Sequence, residues 1–167
     1  MNKPSAAKRL IYGNFTIERV YPQAPARVFA AWSNPEVKAR WFIGPPPWKL
    51  VERAHDFRIG GEELCHGRFS EAGTVTHGCG AALHGGDTIF RARYSDIQPD
   101  ARIVFTYDMS WNGAHRSTSI VGVEILAEGK GTRLIFTEHV VFLDGEDGTE
   151  SRRTGSAAHL ESLAAAL

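Results

Sequence analysis

Glu138 has the same strand parity as Leu134, Phe136 and Val140, and a carboxylate on an apolar face must be paired, neutralised or turned away from it. Two arrangements meet that requirement. Either the strand bulges before Glu138 and leaves it in water, or the carboxylate is buried and acts as a proton donor or base. His66 or His139 would then complete an acid/base pair with it. Arg91 and Arg93 are its candidate partners, or a clamp for an anionic ligand.

Cys65, His66, His77, Cys79 and His84 are of the types that bind zinc, but their spacing matches no common zinc-site pattern. The expectation is no metal and no cofactor. The acidic run from Asp144 to Glu150 lacks the alternating ligands of a calcium loop and reads as a turn and helix cap, with Asp147 and Glu150 forming a capping box. There is no phosphate-cradling glycine loop and no Gly-x-Ser-x-Gly elbow.

A second constellation is apolar. Phe105, Tyr107, Met109 and Trp111 follow one another at strand parity; Val121 and Val123 do so in the next strand, and Phe136 in the one after. With Trp41, Glu138, Ser156 and Leu160 they are the expected lining of a ligand cavity. Trp32 is expected to be core, whereas Trp41 is expected to reach the cavity.

The elements that must position these residues are legible. Ile11–Tyr21 alternates as a strand. Gln23–Phe42 reads as two short helices, each opened by a proline, Pro25 and Pro35, with Ser33 or Asn34 between them as cap. Trp48–His55 is a strand, with Trp48, Leu50 and Ala54 on one face and Lys49, Arg53 and His55 on the other. Gly60-Gly61 turns the chain into a strand over 63–69, and residues 70–86, rich in Gly and His, read as a long hairpin or insertion. Strands over 87–96, 102–108, 117–126 and 132–142 follow in an antiparallel meander. Leu160, Leu163 and Leu167 then mark a final helix on the apolar face.

Composition narrows the function. Nineteen basic against nineteen acidic residues leave no net charge, which removes the attraction that nucleic acids and acidic membranes rely on. Neither is expected as a partner. Polar Met1–Arg9 has no apolar stretch of the signal-peptide type, and two cysteines build no disulfide framework, so a cytoplasmic location is expected. Residues 1–10 are read as a flexible N-terminal segment and 11–167 as one domain.

In this order the elements resemble the helix-grip fold of the START-like (SRPBCC) superfamily, an α+β fold in which a curved antiparallel sheet of six to seven strands grips a long C-terminal helix. The chain is most similar to the family related to the carboxy-terminal domain of the activator of Hsp90 ATPase. The resemblance rests on Pro25, Val28, Phe29 and Trp32; on Pro35, Glu36, Arg40, Trp41 and Phe42; and on Asp56, Arg58, Gly60 and Gly61. Tyr94 through Tyr107, Gly131–Leu134 and Gly155 to Leu163 extend it. Two departures stand out: Ser156 follows Gly155 where the family often has Trp, and residues 70–86 are longer than the usual hairpin.

The resemblance implies a cavity between sheet and helix that takes a small, mostly apolar molecule. Its alternatives are a START-like enzyme using acid/base groups in that cavity, and a chaperone activator of the Hsp90 type. It also admits a homodimer.

Overall fold

A computed structural model describes residues 7–76 and 82–167, with the side chains of 71–84 left aside. The element order is β1 (Ile11–Tyr21), α1 (Pro25–Ser33), α2 (Pro35–Trp41), β2 (Trp48–His55), β3 (Glu62–Thr76), β4 (Ala82–Gln98), β5 (Arg102–Trp111), β6 (Ala114–Glu128), β7 (Gly131–Phe142) and α3 (Thr149–Ala166). Seven strands form one antiparallel sheet in the order β1-β7-β6-β5-β4-β3-β2. This is the expected helix-grip architecture.

The topology explains the helix pair. β1 and β2 are consecutive strands at opposite edges of the sheet, so the chain between them must cross its open face, and α1 and α2 are that crossing. Pro25 and Pro35 each occupy a first turn, where a missing N–H removes no helical bond. Asn34 caps α2 by accepting from the backbone N–H groups of Glu36 (2.9 Å) and Val37 (3.2 Å). α3 then lies against α2 and β1 on the same face.

Two local expectations change. In β2 the pairing shifts between Leu50 and Glu52, leaving Val51 as an extra residue. Such a bulge reverses which side chains face inward. Leu50 and Val51 are therefore exposed, while Arg53 turns in to donate to the Phe42 carbonyl (2.5 Å) and His55 Nε2 lies 3.1 Å from Tyr94 Oη. At α3 the N-cap is Gly148, not Asp147. Asp147 instead accepts from the Thr149 N–H (3.0 Å) and hydroxyl (2.6 Å), and Glu150 approaches Arg153, so no capping box forms. Of the two readings of 70–86, a long hairpin or an insertion, the described residues form the hairpin, continuing the β3–β4 ladder with Val75 paired to Leu83; residues 77–81, including His77 and Cys79, lie outside the described residues.

The core sits between the sheet's inner face and the helices, with Ile103, Phe105, Val121, Val123, Leu134 and Leu163 among its members. α3 approaches β1 closely at Gly13, where an added Cβ would fall 1.9 Å from Thr149 Oγ1. Gly13→Ala is therefore expected to push the first turn of α3 off the sheet and destabilise the protein by about 1–3 kcal/mol. Urea unfolding at constant m-value is the check.

Candidate functional site

A cavity of about 120 Å3 lies between the helices and the inner face of the sheet. Trp32, Lys38 and Trp41 come to it from α1 and α2. Phe90, Phe105, Tyr107, Met109 and Phe136 come from the strands, and Arg152, Ser156, His159 and Leu160 from α3. Trp48 forms a further part of the wall, and its indole Nε1 donates to Thr88 Oγ1 (3.0 Å). That ring is laid flat on backbone: a Cβ at Gly67 would fall 1.8 Å from it, and one at Gly44 2.4 Å. His159 ties α3 to the exit of α2 through its Nε2, 3.1 Å from the Ile43 carbonyl oxygen.

Of the residues expected at the cavity, the fold brings together Trp41, Phe105, Tyr107, Met109, Phe136, Ser156 and Leu160. Trp32, expected as core alone, lines it too, edge-on to Trp41 at 4.8 Å. Val121 and Val123 are fully buried in the core beneath it, and Trp111, further along β5, stacks on Phe69 at 5.7 Å. His139 is exposed on β7, of opposite parity to Glu138; His66, of opposite parity to the buried Cys65, lies 3.6 Å from Asp87. Neither histidine is among the lining residues.

Glu138 does not bulge out. It is 0% exposed, in regular register with Phe15 and Val121. Its partner is neither Arg91 nor Arg93 but Arg152 on α3, whose Nη1 lies 3.0 Å from Oε1. The same oxygen accepts from Tyr107 Oη (2.6 Å) and Ser119 Oγ (2.7 Å), and Arg152 also donates to Tyr107 (2.5 Å) and Ser117 (2.7 Å). Burial drives the Tyr107 phenol far above its ordinary value, against the lowering effect of Arg152. The phenol is thus a proton donor locked onto Glu138. Tyr107 and Arg152 line the cavity; Glu138 stands behind them.

A second buried pair faces it from the other side. Lys38 is 3% exposed and Glu63 2%, with Nζ and Oε2 3.2 Å apart. Tyr94 Oη donates to the same Glu63 oxygen at 2.5 Å. Burial lowers the Lys38 pKa, with Glu63 opposing it. For Glu63, burial alone would raise the pKa, but Lys38, the Tyr94 hydrogen bond and His55 together hold it below 4.5. Desolvation pushes the Cys65 thiol up, which keeps it protonated and unreactive.

Lys38, Glu63 and Arg152 were not singled out from the sequence, yet each carried a signal. Arg152, Ser156, Leu160 and Leu163 recur at spacings of four, four and three, one helical stripe. Lys38 and Trp41 are three apart in α2, and Glu63 shares the parity of Cys65 and Phe69. Among the described residues no three His, Cys, Asp or Glu side chains are grouped to hold a metal, and His84 falls among the side chains left aside. No described helix is long and apolar enough to cross a membrane.

Two outcomes follow from the buried pairs. Glu138→Leu and Arg152→Met should each cost about 3–5 kcal/mol by stranding a charge, and the double variant clearly less than their sum; urea denaturation of the four proteins measures the coupling. For Glu63, a depressed folded pKa means that its contribution is complete above its unfolded value of 4.5 and is lost as pH falls through the lower folded value. Glu63→Gln should therefore be markedly less stable than the parent at pH 7, and the gap should narrow on acidification below about pH 4.5. A gap independent of pH would remove the assigned charge pair.

Residues 23–167 match the family described as Activator of Hsp90 ATPase homolog 1-like protein. Among solved structures, the Mll3558 protein from Rhizobium loti is 38% identical, with 95% of this chain and 99% of that one covered at a TM-score of 0.79. A putative uncharacterized protein from Rhizobium leguminosarum is 34% identical, with 95% of each chain covered and a TM-score of 0.80. An AHSA1-like protein from Aeromonas hydrophila, at 18% identity, 92% and 91% coverage and a TM-score of 0.61, shares the fold. No curated protein matches the sequence. Matched over residues 23–167, and sharing the helix-grip sheet with these relatives, the chain belongs to the Activator of Hsp90 ATPase homolog 1-like family.

Proposed function

We propose that this is a cytoplasmic binding protein that holds a small, largely apolar molecule between the sheet and α3. The observation that carries the reading is the cavity itself. A partly open pocket of about 120 Å3 walled by aromatic side chains leaves apolar surface in contact with solvent that tighter packing would bury. A chain selected for stability alone would fill it, and the family's common Trp at the position of Ser156 is one way to do so.

Size constrains the occupant. An engineered apolar cavity of roughly 150 Å3 takes a benzene molecule, so this one suits a single aromatic ring or a short alkyl chain. The lining supports binding over acid/base turnover. No carboxylate is among the described lining residues, and Glu138 is engaged by three donors behind Arg152 and Tyr107.

Ethylbenzene and a graded set of neutral aromatic and alkyl compounds provide the test. At about one hundred times Kd a bound compound adds about 2.7 kcal/mol, which for a domain of this size is a rise in Tm of roughly 5–10 °C. Ser156→Trp should abolish the rise while leaving the unliganded protein folded. Absence of any Tm shift across the set at saturating concentration overturns the proposal.

A further inference from the structure

The two buried ion pairs present the same sign to the cavity. Lys38 and Arg152 line it, whereas Glu63 and Glu138 do not. Arg152 is committed to Glu138, Tyr107, Ser117 and Ser119. Lys38 is not. An ammonium has three donors, and the hydrogen bond it makes is to Glu63. Its remaining surroundings are the faces of Trp32, Trp41 and Phe42, with ring centroids 4.6, 5.0 and 4.9 Å from Nζ. These rings stabilise the cation without accepting a directed bond.

Other donors close by are also unused. Trp32 is 3% exposed and lines the cavity, and its indole Nε1 is buried with no hydrogen-bond partner. Arg53 reaches the Sγ of the lining residue Cys65 at 3.5 Å, yet its Nε and Nη1 are buried without partners. His55 adds no charge here, since burial lowers its pKa. Lys38 and Arg53 are thus two cations against one carboxylate, Glu63, in a region of low dielectric. Orphaned buried donors and an excess of positive charge are each costly. A single anionic acceptor in the lumen satisfies donors of the lining residues Lys38 and Trp32 and offsets the excess positive charge, to which Arg53 contributes without lining the cavity.

Resting on the binding role proposed above, we propose that the natural ligand is an organic anion, a ring-sized apolar body bearing a carboxylate or equivalent acceptor group, and that Lys38 receives that group with the Trp32 N–H beside it. The apolar body lies along Phe105, Met109, Phe136 and Leu160. The anion raises the charge-stabilising surroundings of Lys38 from one carboxylate to two. A cationic ligand of the same shape is excluded by repulsion.

A charge series of one shape tests this on the unmodified protein: ethylbenzene, phenylacetamide, phenylacetate and phenethylamine, with affinities from calorimetry or NMR titration. Phenylacetate is expected to bind about tenfold to a hundredfold tighter than phenylacetamide, the range for a charge-assisted hydrogen bond, and phenethylamine not to bind. If ethylbenzene binds but acid, amide and amine are indistinguishable, or the amine binds best, the anion inference is overturned and the binding role stands. If none of the four binds, the anion inference is overturned, and the binding role falls with it where the graded neutral set also gives no Tm shift. Lys38→Met combined with Glu63→Gln removes the ion pair together and leaves Arg53 as the remaining cation of the cluster. In that variant phenylacetate should fall to the level of the amide while ethylbenzene is unchanged; a preserved preference for the acid overturns the assignment to Lys38.

Discussion

The guanidinium of Arg152 fastens the last helix to the sheet, and most of the inner architecture follows from that contact. It bonds to Glu138 on β7, Ser117 and Ser119 on β6 and Tyr107 on β5, so one side chain spans three adjacent strands. A guanidinium buried among aromatic residues is tolerable only with every partner in place. The position of α3 over the sheet is therefore set in all directions at once, and the carboxylate that looked like a catalytic suspect is half of the fastening.

With α3 held there, the space beneath it depends on what the helix and the facing walls can supply. Along that stretch α3 offers Gly155, Ser156 and Ala157, which reach only a short way inward. Opposite are large flat side chains with few accessible rotamers, and Trp48 packs against Gly44 and Gly67 and donates to Thr88. Rigid aromatic walls against a small-residue helix leave a void that collapse cannot close. The cavity is thus a consequence of side-chain size on two elements whose separation is fixed elsewhere.

The charged pairs give that cavity its character. Both cations lie at the lumen and both carboxylates behind it, an arrangement that no net charge or composition reveals. Overall the chain is neutral, yet the cavity wall is apolar with positive points. The Lys38 end differs from the Arg152 end in saturation, because Lys38 is surrounded by rings that offer charge stabilisation and no lone pairs.

By itself the sequence determined the element order, because helix and strand periods, Pro25, Pro35, the Asn34 cap and Gly60-Gly61 are local signals that act within a few residues. It also determined the inward faces of β5, β6 and β7, since alternation is strict where no bulge interrupts it. Local pattern stopped being informative where distant parts meet. The bulge at Val51 depends on pairing with β3 and reversed the faces of β2. The burial of Glu138 turned on whether a cation would arrive from α3, 14 residues further on, and that of Lys38 rests on Glu63, 25 residues away in the chain. Only the tertiary structure could decide these points, because the free energy of a buried charge is set by the partners that folding brings to it and not by its neighbours along the chain.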